Sequence, residues 1–302
     1  MIIKEREEPY ALKVMTSLNN RMTLTQKQKN YYSSLVKGLE GEKQFDSMIA
    51  QLSCNYFYLK DLTLKTNRTY FQVDSLLIKD NTVHLYEVKN YEGEYTLEDN
   101  KLINFSSNKE ILNPAIQLER SSTLLRQLLD DRGIDLKLDS HIVFVNPEFI
   151  LYQSSRHQSF ILPGMLRKHL NEINRENQFL SDNNREYAGI LCGEHLLETP
   201  YTDLPDYSFE TLEKGFLCFK CSEEIKELTG RKSICRKCGY KEAARIAVLR
   251  HVHEYFLLFP NCDISTHVIH KWCNQIPSTY TIRSVLKQNY EAQKSGRWTV
   301  YS

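Results

Sequence analysis

The sequence predicts an α/β protein followed by two smaller parts, a four-cysteine module and a helical C-terminal domain. Three observations carry this prediction. In the first half, β-type runs joined by a tight turn lie between amphipathic helical stretches. Four of the eight cysteines fall between Cys218 and Cys238. The charge also changes sign along the chain: residues 214–302 hold 15 Lys+Arg and 7 Asp+Glu, against 24 and 31 before them.

A length of 302 residues suits two or three domains. With 41% hydrophobic and 25% charged residues, the composition is that of a soluble globular protein. No apolar run approaches the ~18 residues of a membrane span, so no membrane association is expected. Met1–Glu8 lacks the apolar core and small-residue cleavage site of a secretory leader. Cys54, Cys192, Cys262 and Cys273 stand alone. This uneven cysteine usage argues for a reducing cytoplasm and a metal site rather than a disulfide framework.

Residues 1–30 are polar and charged and read as a peripheral N-terminal arm or helix. From Tyr31 to Leu52 a helix is expected, since Leu35, Leu39, Phe45, Ile49 and Leu52 recur at helical spacing. Tyr56–Leu59, Phe71–Ile78 and Thr82–Lys89 read as strands, with Lys79-Asp80-Asn81 supplying turn chemistry between the last two. A helix over Pro114–Arg132 and a buried strand over His141–Val145 follow. Beyond Leu151 the pattern weakens. A charged helix is expected over Met165–Asn177, and Asn183-Asn184 and Pro200–Pro205 read as loops. The first domain is expected to span residues 31–213.

The chemistry concentrates on Asp74 and, after twelve residues, Glu87-Val88-Lys89. Glu87 and Lys89 lie two apart on a strand and project to one face. Asp74, on the neighbouring strand, can reach the same end. Two carboxylates there suit a hard divalent cation such as Mg²⁺ or Mn²⁺. A lysine beside them can position an attacking water or offset transition-state charge. A Glu-x-Lys pair alone is common on solvated strand edges. Here it ends an apolar strand, faces Asp74 and follows a helix carrying Gly38-Leu39-Glu40-Gly41-Glu42. Glu40 and Glu42 lie two apart on that helix and cannot share a face, and Gly41 permits close approach to the sheet or to a phosphate.

Gly38–Glu42, Gln72-Val73-Asp74 and Glu87-Val88-Lys89-Asn90-Tyr91-Glu92-Gly93 together resemble the nuclease-related domain, NERD, of the PD-(D/E)xK restriction-endonuclease-like superfamily. Asn113-Pro114 followed by Gln117 resembles that family's next helix. The resemblance covers roughly Tyr31 to Val145. It implies a restriction-endonuclease-like mixed β-sheet flanked by helices. It implies Asp74 and Glu87 as ligands of a catalytic Mg²⁺ or Mn²⁺, and Lys89 as the catalytic lysine. Glu42 would be the helix carboxylate completing or supporting the metal site, and Gln117 a supporting or substrate-orienting residue. Val73 stands where the superfamily motif has a proline.

Cys218-x-x-Cys221 and Cys235-x-x-Cys238 are separated by thirteen residues, the spacing of a tetrahedral Cys₄ Zn²⁺ site. With no open ligand position, such a zinc is structural. The expected zinc ribbon spans residues 214–240 and is made basic by Lys220, Arg231, Lys232, Arg236 and Lys237.

In residues 241–302 a helix is expected from Lys241 to Leu258. Ser265 can cap a second helix and Ser278 a third, and a strand is expected over Arg297–Tyr301. This order resembles a winged helix-turn-helix. Thr279, Tyr280, Arg283 and Lys287 would then face DNA, and Arg297 a phosphate. His251, His253, His267 and His270 read as satisfied core or surface residues. The whole predicts a cytoplasmic, metal-dependent phosphodiesterase acting on DNA, with the choice between DNA and RNA left open by the sequence, in DNA processing or defence against foreign DNA. The competing readings are an inactive nucleic-acid-binding regulator and an interaction scaffold whose C-terminal module binds a protein partner or a second copy.

Overall fold

Near-continuous burial along three long strands, covered on both faces, builds the centre of the first part of the chain. The computed structural model describes residues 1–98, 101–152, 159–175, 181–197, 204–295 and 298–301. In chain order, β1 (Ile2–Lys4), α1 (Tyr10–Arg21) and α2 (Gln26–Ile49) precede β2 (Phe57–Thr66), β3 (Thr69–Lys79) and β4 (Thr82–Lys89). Three short strands follow, β5 (Gly93–Glu98), β6 (Lys101–Asn104) and β7 (Glu110–Leu112). Next come α3 (Pro114–Asp131), β8 (Lys137–Phe144), β9 (Phe149–Tyr152), β10 (Phe160–Ile161), α4 (Pro163–Asn174) and α5 (Asp182–Gly193). The remainder holds β11 (Lys232–Ile234), β12 (Lys241–Ala243), α6 (Ala244–Leu258), α7 (Thr266–Trp272), α8 (Thr279–Asn289), β13 (Ala292–Ser295) and β14 (Trp298–Tyr301).

These elements form two units, Met1–Glu8 with Ser33–Thr202, and Pro9–Tyr32 with Asp203–Ser302. In the first unit a mixed sheet runs β1-β2-β3-β4-β8-β10. β2, β3 and β4 are antiparallel, whereas β8 lies parallel to β4 and β10 parallel to β8. At the β2–β3 turn Asn67 and Arg68 both adopt left-handed backbone, φ 45° and 63°, which matches the strand twist in a two-residue hairpin. The β3–β4 turn places Asp80 at φ 52°. A second sheet runs β7-β6-β5-β9.

Each face of the larger sheet has its own core. One joins Leu76, Val83, Leu85, Ile142 and Phe144 to Leu118, Leu125, Leu128 and Leu129 of α3. The other joins Leu77, Tyr86, Val88 and Val143 to Phe45 and Ile49 of α2 and to Leu166 and Ile173 of α4. Phe45 meets the Tyr86 ring edge-on at 5.0 Å. Removing it would cost about 3–5 kcal/mol by the usual range for a buried aromatic.

The expected peripheral arm is not one segment. Residues 2–4 extend the main sheet as β1 through parallel pairing with β2. Residues 10–21 form α1, whose Arg21 is fully buried in the second unit. There the guanidinium pairs with Glu254 at 2.6 Å and lies 3.8 Å from the Trp272 ring centroid. The helix also buries Leu12, Val14, Met15 and Leu18, so apolar packing and a paired cation hold it together. Asn183 and Asn184 lie in a helix rather than a loop, because Ser181 caps α5 through the Asn184 amide. Met165 lies inside α4, which starts at Pro163, and the expected helix end at Asn177 falls outside the described residues. Residues 204–213, expected in the first domain, group with the C-terminal elements by compactness.

In the second unit β11 and β12 pair antiparallel, α6, α7 and α8 follow, and β13 pairs antiparallel with β14. Ser265 caps α7 through the Val268 amide, and Ser278 caps α8 through the Thr281 amide. Among the described residues no helix is long and apolar enough to cross a membrane.

Candidate active site and metal-binding groups

Register brings the acidic residues together. Leu76 pairs with Leu85 across β3 and β4, so Asp74, two residues back, lies opposite Glu87 on the same face. That face is the one α3 covers. Asp74 and Glu87 are buried, and the Lys89 side chain is 17% exposed. Asp74 Oδ2 accepts a 2.8 Å hydrogen bond from the Val88 amide, which fixes the carboxylate against β4. Lys89 Nζ donates to Glu87 Oε1 at 2.7 Å and to Gln117 Oε1 at 3.1 Å. Gln117 stands one turn into α3, whose start is set by Asn113 accepting from the Ala115 amide and by Pro114. Four of the five sequence-predicted residues therefore meet in one place.

The fifth, Glu42, arrives on α2 and is held by Arg6. Arg6 Nη1 donates to Glu42 Oε2 at 2.6 Å and Nε to Asp46 Oδ2 at 2.9 Å, while Nη2 donates to the Asp74 carbonyl at 2.8 Å. Glu40 is exposed. Gly41 lets α2 approach β4: a Cβ there would stand 2.5 Å from Asn90 Cβ and 3.2 Å from Val145 Cγ2. Asn90 Nδ2 also donates to the Lys37 carbonyl at 2.8 Å, tying the helix to the strand end.

These acids carry more negative charge than their cations offset. Burial, then neighbouring Asp74, pushes the Glu42 carboxyl up to about 8 despite Arg6. Burial, then Asp74, pushes Glu87 up to about 7 despite Lys89. Asp74 is also raised by burial, against the pull of Lys89 and the Val88 amide. Burial works against the Lys89 ammonium, but Glu87, Tyr91 and Asp74 outweigh it and its pKa rises. A buried set of mutually repelling carboxylates is the donor chemistry a hard divalent cation satisfies. Among the described residues Glu42, Asp74 and Glu87 do not bring three ligand atoms within 4.8 Å of one another; two other groups do.

The first of those is Cys218, Cys221, Cys235 and Cys238. Cys218 and Cys238 sulfurs lie 3.6 Å apart, as do those of Cys221 and Cys235. Sulfurs about 2.3 Å from one tetrahedral Zn²⁺ are about 3.8 Å apart, so the four thiols are compatible with that ion. The two knuckles close alike. Ser222 N–H donates to the Cys218 carbonyl and Gly239 N–H to the Cys235 carbonyl, with Ser222 at φ 55° and Gly239 at φ 72°. The Cys238 amide, with that of Lys237, brings the Cys235 thiol down to about 7. His251 supports the first knuckle: its Nε2 accepts from the Leu217 amide at 2.8 Å and its Nδ1 faces the Ala247 carbonyl at 2.7 Å. Burial lowers it to about 3, so it is a satisfied neutral core histidine. The second group is His84, Asp139 and His141.

On α8, Thr279, Tyr280, Arg283 and Lys287 are exposed, opposite buried Ile282, Val285 and Leu286. Arg297 lies outside the described residues.

Residues 37–145 match the family model of the nuclease-related domain, NERD. The NERD match contains Glu42, Asp74, Glu87, Lys89 and Gln117, and runs from α2 to the residue after β8. It suggests a nuclease-related function and nucleic-acid binding. No curated protein and no solved structure matched the chain. Arg6 and the four cysteines lie outside the NERD match. Sequence reasoning missed Arg6 and Asp46, because one arginine in a mixed-charge N-terminal segment carries no local signal.

Proposed function

We propose that this protein is a Mg²⁺- or Mn²⁺-dependent nuclease that hydrolyses DNA phosphodiester bonds. One observation carries the reading: within a NERD-like segment, buried Asp74 and Glu87 face each other across two strands, with Lys89 fixed between Glu87 and Gln117. Asp74 and Glu87 would hold the cation, and Glu42 would complete or support the site. When bound, such an ion supplies Lewis acidity toward a phosphate oxygen and eases deprotonation of water. Lys89 would orient the attacking water and offset charge gathering on the phosphate. Gln117 would keep the ammonium aimed, and Arg6 would hold Glu42 against the Asp74 segment.

The second unit would recruit the substrate. In this reading residues 214–240 are a zinc ribbon with a structural Zn²⁺. Residues 241–302 act as a winged helix-turn-helix, with Thr279, Tyr280, Arg283 and Lys287 facing DNA and Arg297 in the wing. Four closely held thiols favour a reducing compartment, which makes the cytoplasm the proposed location.

The reading is tested by incubating the full chain with linear, circular and single-stranded DNA and with RNA, in Mg²⁺, Mn²⁺ or EDTA. Cleavage of DNA that needs the cation and is lost in Asp74→Ala is the expected result. Salt-sensitive binding of DNA without cleavage in any condition would favour an inactive regulator instead.

A further inference from the structure

His84 and Asp139 are partners in the parallel β4–β8 register, and His141 is the partner of Tyr86. His84 and Tyr86 alternate with Leu85 and Glu87, so these side chains stand on the sheet face opposite Glu87 and Lys89. They also lie toward the other end of β4. Asp139 Oδ2 is 3.3 Å from His84 Nδ1 and 3.0 Å from His141 Nε2. All three donor atoms lie within 4.8 Å of one another. Two ligands about 2.0–2.1 Å from one tetrahedral ion are about 3.3 Å apart, so the two Asp139 distances match edges of a coordination tetrahedron.

An ion pair without metal is the plainer account of a carboxylate between two imidazoles, and the ring nitrogens argue against it. His84 Nδ1 and both nitrogens of His141 are buried, and none makes a well-directed hydrogen bond among the described residues. Buried polar atoms left this way need a partner. The group opens onto a pocket of about 380 Å³ that Lys79, Thr82 and Glu172 also line. The Asp139 side chain is 42% exposed there, against 14% for each histidine. On α4, His169 closes one side: its Nε2 lies 3.0 Å from the Tyr86 hydroxyl, and its ring centroid is 4.9 Å from that of His141.

We infer that His84, Asp139 and His141 form a second metal site on the opposite sheet face, taking a borderline divalent cation of the Zn²⁺ class with one position open to the pocket. Two imidazoles and one carboxylate favour such an ion over Mg²⁺, which takes oxygen ligands and keeps its waters. Three protein ligands leave a fourth position for water or an incoming anion. The site is independent of the nuclease reading and shares no residue with it.

The test is zinc content of the full chain, loaded with excess Zn²⁺, dialysed and measured by atomic emission. Two zincs per chain are expected in the wild type. One is expected in His84→Ala/His141→Ala and one in Cys235→Ser. Because the paired histidine change could disturb the core, Asp139→Asn, at the most exposed ligand, is measured alongside. It should weaken the second zinc at least tenfold while circular dichroism is unchanged. A single zinc in the wild type, or a second zinc that survives both Asp139→Asn and the histidine changes, would overturn the inference.

Discussion

The residues proposed to carry the chemistry are those whose charge is least comfortable. Glu87 near 7 and Glu42 near 8 stand well above the 4.5 of an unconstrained glutamate. Without a bound cation, the folded chain keeps protons there that the unfolded chain releases above pH 4.5. Their contribution to stability is therefore complete below that point and is lost as pH rises through about 7 and then 8. In urea melts without added divalent cation, the wild type should lose more stability between pH 5.5 and 8.5 than Glu87→Gln does. Equal losses would mean that Glu87 is not held protonated. A cation that needs these carboxylates ionised competes with the same protons, so cleavage should climb through the same pH window. Asp74, Glu87 and Lys89 were legible in the sequence because strand periodicity of two fixes which side chains share a face. Arg6 was not legible, since its partners Glu42, Asp46 and the Asp74 carbonyl lie far along the chain and only the fold supplies them.

At the scale of elements, two glycines one turn apart on α2 should behave oppositely. A Cβ at Gly38 meets nothing within 4 Å, whereas one at Gly41 collides with Asn90 on the chain leaving β4. Gly38→Ala should stabilise by about 0.5–1 kcal/mol through helix propensity. Gly41→Ala gains the same propensity but must push α2 away from the strand end, an overpacking cost of about 1–3 kcal/mol. Denaturant midpoints should therefore rise for the first and fall for the second, and the second should also lose cleavage, because Glu42 moves with the helix. A fall for both would mean that local propensity does not decide position 38. The same helix shows what periodicity can and cannot give. Leu39, Phe45 and Ile49 announced it, but its start at Gln26 was hidden by a polar first turn. β5, β6 and β7 escaped because short strands of four to six residues or fewer, with mixed burial, offer too few alternations to read. α5 escaped because Asn183-Asn184 resembles a turn until Ser181 is seen to cap it.

For the whole molecule, the zinc-type module and the α/β unit should respond separately to metal loss. Cys235→Ser removes one of four proposed zinc ligands from a segment that has little core of its own. Zinc content should fall by one, and amide protection should drop around Leu217 and His251, where the knuckle and α6 share a hydrogen bond. Protection across β3, β4 and β8 should be unchanged. Loss of protection in both units would indicate a single cooperative fold. The charge balance and the cysteine spacing drew separate parts at residues 214–240 and 241–302, and in the structure both fall in one compact unit. The grouping of Pro9–Tyr32 with the C-terminal elements could not be read from the sequence, because α1 buries Val14, Met15 and Leu18 as well as Arg21, whose partners Glu254 and Trp272 lie far along the chain. The central claim remains that Asp74, Glu87 and Lys89 act together on a phosphodiester. The most direct measurement is single-turnover cleavage of an end-labelled DNA duplex with Mn²⁺, comparing the wild type, Lys89→Ala and Glu40→Ala. Lys89→Ala should be slower by about 10²–10³-fold, the usual cost of removing a group that stabilises transition-state charge, while Glu40→Ala, altered at an exposed position, keeps the wild-type rate. Cleavage by Lys89→Ala at the wild-type rate would contradict the account.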